Sequence, residues 1–140
     1  MSDTIHLSIT LPAGPAAIYA AWLDAEKHSA FTGAQATGEA GVGGQFTAWD
    51  GYIAGTTIEL DPGRRIVQRW RTTEFPPESP DSLLEITFEP VKGGTSMTLH
   101  HSELPEGSGP VYEKGWIDFY FTPMREYFRA KRGRPRRGAL

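Results

Sequence analysis

The sequence contains no cysteine, which excludes disulfide bonds, thiolate nucleophiles and cysteine-ligated metals. It also lacks any stretch near the roughly 20 consecutive apolar residues of a membrane-spanning helix, so we expect no membrane association. The first residues do not show the basic region followed by an apolar region that marks a signal peptide. We therefore expect a cytoplasmic protein.

Basic residues are scarce in most of the chain. Nine of the 14 Lys and Arg residues precede residue 130, and all 17 acidic residues also lie there, so this part has a net charge of −8. The other five basic residues fall in the short C-terminal segment. The charge pattern predicts an acidic domain at residues 1–129 and a basic disordered tail at residues 130–140.

Apolar and polar residues alternate along much of the chain, which is the pattern of half-buried strands. One strand is expected at residues 5–11, then two short helices, and then successive antiparallel strands between residues 45 and 104. Near the C-terminus the spacing becomes helical, although Pro123 should kink or divide that helix. The order predicts an α+β fold with a curved antiparallel sheet of about six or seven strands wrapped on a long C-terminal helix.

A curved sheet cannot lie flat against a straight helix, so a gap is expected between them. Such apolar gaps are common ligand sites. We expect this cavity to be bordered by large side chains of the sheet and the helix: Trp70, Met97, Leu99, His101, Trp116, Phe119 and Tyr120. Alternatively, these side chains fill the space completely. A third possibility is that Tyr52, Trp70 and Trp116 form an exposed patch, so both a monomer and a homodimer remain open.

Several segments resemble a known family. Residues 13–22 with Phe31-Thr32-Gly33 resemble the opening of the SRPBCC superfamily. Residues 49–55 and 66–71 resemble the C-terminal domain of the activator of heat-shock protein 90 ATPase, and the match continues in order to residue 128. The resemblance implies the START-like helix-grip fold. It also implies two kinds of partner, a hydrophobic small molecule in the cavity or a heat-shock protein 90-type chaperone in a stress-related, co-chaperone-like role.

Catalytic motifs are sparse. Alternation places His100 and His101 on opposite faces of one strand, so only His101 is expected to face the cavity as a base or hydrogen-bonding group. There is no Gly-x-Ser-x-Gly elbow and no His-x-x-x-His spacing, and we expect no catalytic residue, no metal and no cofactor. A non-catalytic binding protein is favoured over a cyclase or hydrolase of the same superfamily.

Two basic clusters remain. Arg65, Arg69 and Arg71 should project from the sheet face opposite Trp70, either solvated or facing an acidic partner. The tail resembles an AT-hook, whose arginines enter the narrow minor groove of AT-rich DNA. Its residues are Lys131, Arg132, Gly133, Arg134, Pro135, Arg136 and Arg137. This motif keeps open an alternative function, a DNA-associated ligand sensor.

Overall fold

In the computed structural model, which describes residues 2–133, seven antiparallel strands form one curved sheet. They are β1 (Ser2–Leu11), β2 (Thr37–Gly38), β3 (Gln45–Ala48), β4 (Ile53–Asp61), β5 (Arg65–Thr72), β6 (Ser82–Val91) and β7 (Gly94–Pro105). Their order across the sheet is β1-β7-β6-β5-β4-β3-β2. Each strand from β2 onward therefore pairs with the next one in the chain, and β1 pairs with β7. The predicted antiparallel sheet is confirmed.

Two short helices connect β1 to β2, as predicted. They are α1 (Pro15–Leu23) and α2 (Ala25–Thr32). Pro15 lies in the first turn of α1, where its missing N–H would have no intrahelical partner. Asp24 caps α2 because its carboxylate accepts hydrogen bonds from the backbone N–H groups of Glu26 (2.9 Å) and Lys27 (3.1 Å). None of the helices within residues 2–133 is long and apolar enough to cross a membrane.

The C-terminal helix changes its hydrogen-bond register once. It consists of α3 (Gly109–Trp116), a π-helical segment (Ile117–Phe121) and α4 (Thr122–Gly133). Pro123 has no N–H, and its ring would clash with the carbonyl four residues earlier in a regular helix. The backbone widens just before it, and the N–H of Thr122 donates to the carbonyl of Ile117, five residues back. The predicted interruption therefore takes the form of a π-helical segment.

Helix α4 extends beyond the predicted domain boundary. It includes residues 130–133, which the sequence analysis assigned to the tail, and the Lys131 ammonium lies 5.2 Å from the centre of the Tyr127 ring. Residues 134–137 of the predicted DNA-binding motif lie outside the described residues.

The two faces of the sheet differ in chemistry. The concave face packs on the C-terminal helix with fully buried aliphatic side chains, among them Leu84, Ile86, Met97, Leu99 and, from α4, Met124. We call this set the closed half. On the outer face the predicted arginines of β5 form salt bridges within the protein: Arg65 with Glu59 and Glu85, Arg69 with Glu103, and Arg71 with Asp81. These arginines project opposite Trp70, as predicted.

Candidate ligand cleft

A cleft of about 640 Å³ opens between one side of the sheet and the helical segment formed by α3 and the π-helical turn. Seven of its twelve lining residues are aromatic. The lining comprises Trp49, Tyr52, Ile53, Trp70, Thr73, Glu74, Val111, Tyr112, Gly115, Trp116, Phe119 and Tyr120. A mostly apolar concavity of this size with a few polar groups is typical of small-molecule sites.

The floor of the cleft is a packed layer of aromatic rings. The Trp70 and Trp116 rings lie 5.6 Å apart at an interplanar angle of 32°, and Tyr120 lies 4.8 Å from Trp116. At the rim, Trp49 contacts Phe119 edge to face at 5.5 Å. The floor residues are buried, but Phe119 is 56% exposed. The cleft therefore has a packed aromatic floor and one partly exposed aromatic ring at its rim.

Trp49 reaches the cleft from a strained turn. Strand β3 ends at Ala48, and Trp49 and Asp50 adopt φ values of 52° and 58°. Such values are unfavourable for a bulky side chain. The turn is held by Asp50, whose carboxylate and N–H bond to the backbone of Gln35, each at 2.9 Å. The buried indole N–H of Trp49 has no hydrogen-bond partner of normal geometry within residues 2–133. The wall of the cleft at Trp49 therefore contains strained backbone.

Gly115 keeps part of the cleft open. It lies inside α3, where glycine costs about 1 kcal/mol relative to alanine. A Cβ atom built at this position would meet no other atom within 4 Å. Glycine at this position therefore lowers the stability of the helix, but its missing side chain leaves empty space in the wall of the cleft.

Two hydrogen bonds connect polar side chains around the cleft, one at its exposed mouth and one in its buried wall. The Tyr52 hydroxyl donates a hydrogen bond to Glu74 at 2.5 Å, and Thr72 Oγ1 bonds the Tyr112 hydroxyl at 2.6 Å. Burial, followed by the bond to Glu74, raises the pKa of Tyr52 above its usual range. Glu74 is the one charged side chain in the lining.

The structure places His101 beneath the cleft floor rather than on its lining. Its Nδ1 accepts a hydrogen bond from the Trp116 indole at 3.1 Å. Ser82 Oγ donates to the carbonyl of Trp70, so the contact between Ser82 Oγ and His101 Nε2 at 2.8 Å makes that nitrogen the donor. Burial lowers the pKa of His101 to about 3. Because both ring nitrogens are bonded and the ring is fully buried, His101 is a structural residue and has no free lone pair to act as a base.

A second buried histidine, which sequence reasoning missed, supports the floor from another side. His28 Nδ1 lies 2.9 Å from the carbonyl of Trp22 and must donate to it, so Nε2 accepts from the Tyr120 hydroxyl, also at 2.9 Å. Burial lowers the pKa of His28 to about 4 and raises that of Tyr120. No sequence signal links His28 to a partner 92 residues away.

Four of the seven predicted cavity residues meet in the cleft: Trp70, Trp116, Phe119 and Tyr120. Met97 and Leu99 are fully buried in the closed half, below the cleft. Trp70 and Trp116 are also buried, so they do not form the exposed patch considered as a dimer surface. Of the lining residues missed, Tyr112 precedes Trp116 by one helical turn, and that spacing was a usable signal. Within residues 2–133 no three metal-binding side chains come together.

The sheet order, the long C-terminal helix and the cleft between them define a helix-grip, START-like domain. Residues 12–129 match the family described as "Activator of Hsp90 ATPase homolog 1-like protein", and the protein belongs to that family. It is 31% identical over 124 residues to the human activator of 90 kDa heat shock protein ATPase homolog 1. That match covers 89% of this chain but 36% of the human protein, so the chain spans about a third of that relative's length.

Solved structures agree on the fold. A heat-shock protein 90 activator from Plasmodium falciparum superposes with a TM-score of 0.74 at 24% identity, covering 96% of this chain and 98% of that one. The Aha1 dimer from Colwellia psychrerythraea gives a TM-score of 0.76 at 20% identity, covering 94% and 99%. The family match and the superposed structures therefore agree on the helix-grip fold.

Proposed function

We propose that this protein is a non-catalytic binding protein whose cleft holds a small hydrophobic molecule. The observation that carries the proposal is the open volume of about 640 Å³ above a floor of buried aromatic rings. Burying an apolar ligand there removes apolar surface from water on both sides of the contact. The glycine at position 115 leaves space in the cleft, and the strained turn directs Trp49 into its wall. Both features lower the stability of the fold.

Filling the cleft tests this function. The probe is N-phenylnaphthylamine, an uncharged dye that fluoresces on entering an apolar site. Gly115→Leu places a side chain in the open space, and we expect it to reduce dye binding at least about tenfold, since the ligand loses that volume. Leucine also improves helix propensity, so the free energy of unfolding should not fall.

The matched control is Glu113→Leu, which adds the same side chain to an exposed position of the same helix outside the cleft. It should leave dye binding unchanged. Equal dye binding by the wild type and Gly115→Leu, or no binding by either, would contradict the proposed function.

A second candidate is docking on a heat-shock protein 90-type chaperone. Its support is the 31% identity to a relative named as an activator of that chaperone's ATPase. The outer face, which carries Arg65, Arg69 and Arg71, is the surface we would test. Because these arginines are paired with carboxylates of the same sheet, an acidic partner would have to compete with those salt bridges.

The test is calorimetric titration of this protein with a purified heat-shock protein 90-family chaperone. Docking through the outer face predicts that Arg69→Glu weakens binding and that Gly115→Leu does not. Absence of heat and of any change in the chaperone's ATPase rate would count against this candidate. The DNA-associated function of residues 131–137 and the cytoplasmic location stay predictions.

A further inference from the structure

The cleft has an unbalanced charge. Its lining contains one carboxylate, Glu74, and no Lys, Arg or His. Four carboxylates of the outer face, by contrast, each pair with an arginine: Glu59, Glu85, Glu103 and Asp81. Glu74 forms no salt bridge with any residue of the range 2–133. An anionic head group would therefore meet repulsion in this cleft, and a cation would meet an uncompensated negative charge.

The aromatic lining also favours a positive charge on the ligand. The faces of aromatic rings carry partial negative charge, and a cation within about 6 Å of a ring centre is attracted to them, most strongly by tryptophan. Trp49, Trp70 and Trp116 all line the cleft, together with three tyrosines and Phe119. The rings and the carboxylate therefore act in the same direction on a charged ligand.

Hydrogen bonds hold the carboxylate in place at the mouth. Glu74 accepts from the Tyr52 hydroxyl, and its own backbone N–H donates to Thr72 Oγ1 at 3.2 Å. Thr72 in turn bonds Tyr112, which belongs to the cleft lining. Hydrogen bonds thus link Glu74 to two lining tyrosines, directly to Tyr52 and through Thr72 to Tyr112. They hold the carboxylate at the edge of the aromatic floor.

We propose that the cleft selects amphiphilic organic cations, with the apolar body on the aromatic floor and an alkylated ammonium group beside Glu74. This inference rests on the proposed ligand-binding function. An alkylated ammonium fits better than a primary amine, because each N–H of a primary amine needs an acceptor and the floor consists mainly of ring carbon. An alkylated ammonium keeps its charge without that requirement.

Three amphiphiles with the same decyl chain test the selectivity: decyltrimethylammonium, the nearly isosteric and uncharged decyldimethylamine oxide, and decyl sulfate. Each displaces bound N-phenylnaphthylamine at concentrations below micelle formation. We expect the cation to displace the dye at a concentration about tenfold lower than the amine oxide, and decyl sulfate to be the weakest. In Glu74→Gln the ratio between cation and amine oxide should fall to about twofold.

Glu78→Gln is the control, because it removes an exposed carboxylate of the same loop that does not line the cleft. It should leave the ratio at about tenfold. Equal displacement by all three amphiphiles, or a ratio unaffected by Glu74→Gln, would overturn the cation selectivity and leave the ligand cleft standing. Failure of the dye itself to bind would overturn both.

Discussion

The space between the sheet and the C-terminal helix has two halves of opposite character. In the closed half, aliphatic side chains of β6, β7 and α4 fill the space completely, and Leu84, Ile86, Met97, Leu99 and Met124 have no exposed surface. In the open half, the same two layers diverge around Trp49, Tyr52 and Phe119 and leave the cleft. One pair of layers thus contains both a close-packed core and a ligand-sized cavity.

The difference indicates how stability and binding are separated in this domain. Close packing in the closed half buries its aliphatic side chains fully and stabilises the fold. The open half contains features that cost stability, namely a helical glycine and left-handed backbone at Trp49. Truncations in the closed half should therefore mainly lower stability, and changes at the rim of the open half should mainly alter binding.

The largest expected effect comes from acid, because two histidines are buried against the aromatic floor of the cleft. Their pKa values are about 4 for His28 and about 3 for His101, below the value near 6.5 expected in the unfolded chain. The unfolded state therefore binds more protons below pH 6.5, and stability present above that pH is lost as the pH falls. Urea unfolding should show a loss of about 2 kcal/mol per histidine between pH 7 and pH 5.

The control for this effect is His6→Gln, which changes an exposed histidine outside the contacts of the two buried rings and should leave the loss of stability largely unchanged. Equal stability at pH 7 and pH 5 in the wild type would contradict the neutral, fully bonded state assigned to His28 and His101.

Truncation in the closed half should come next. Leu99→Ala removes buried methyl groups from a fully packed environment and should lower the free energy of unfolding by about 3 kcal/mol. Denaturant titration measures the loss, and Val91→Ala, at an exposed position, should cost less than about 0.5 kcal/mol. Because Leu99 does not line the cleft, dye affinity of the folded variant should stay at the wild-type value. A large loss of dye affinity would show that the two halves are not separate.

Breaking the link between Tyr120 and His28 should have a smaller effect. Tyr120→Phe keeps the ring in the cleft floor but leaves His28 Nε2 buried without its donor, at a cost of about 2 kcal/mol. Tyr127→Phe is the matched control, since the Tyr127 hydroxyl forms no hydrogen bond with residues 2–133. Thermal or urea unfolding compares the two variants. If they are equally stable, the hydrogen bond to His28 contributes nothing.

The smallest effect on stability is expected at the rim of the cleft. Phe119 is more than half exposed, so Phe119→Ala should change the free energy of unfolding by less than about 1 kcal/mol. It should weaken dye binding by roughly tenfold, because the ligand loses an aromatic contact. Val42→Ala, an exposed position that does not line the cleft, should alter neither quantity. An unchanged dye affinity in Phe119→Ala would exclude this ring from the site.

The fold could be predicted because its signals are local. Alternation in β6 and β7 and the helical spacing of Tyr112, Trp116 and Tyr120 each depend on neighbouring residues. The family resemblance then supplied the arrangement of these elements. The prediction that Pro123 interrupts the helix is confirmed. The sequence did not predict that the interruption would be a π-helical segment before the proline.

The cleft was predicted only in part, for a geometric reason. Alternation predicts which face of the sheet a side chain occupies. It does not predict which part of the C-terminal helix that side chain packs against, so both Leu99 and Trp70 were predicted to border the cavity. Trp49 was missed because its direction depends on left-handed backbone held by a contact with Gln35. Glu74 was missed because its place in the cleft depends on the hydroxyl of Tyr52, 22 residues earlier in the chain.

The four tryptophans can report directly on whether a ligand binds in the cleft. Trp49, Trp70 and Trp116 line the cleft, whereas Trp22 lies outside it with its indole N–H bonded to Gln68. The indole N–H resonances are followed by NMR during titration with N-phenylnaphthylamine. We expect the signals of Trp49, Trp70 and Trp116 to shift together and saturate, with Trp22 shifting least. If no indole signal moves, or if Trp22 moves most, the cleft is not the binding site.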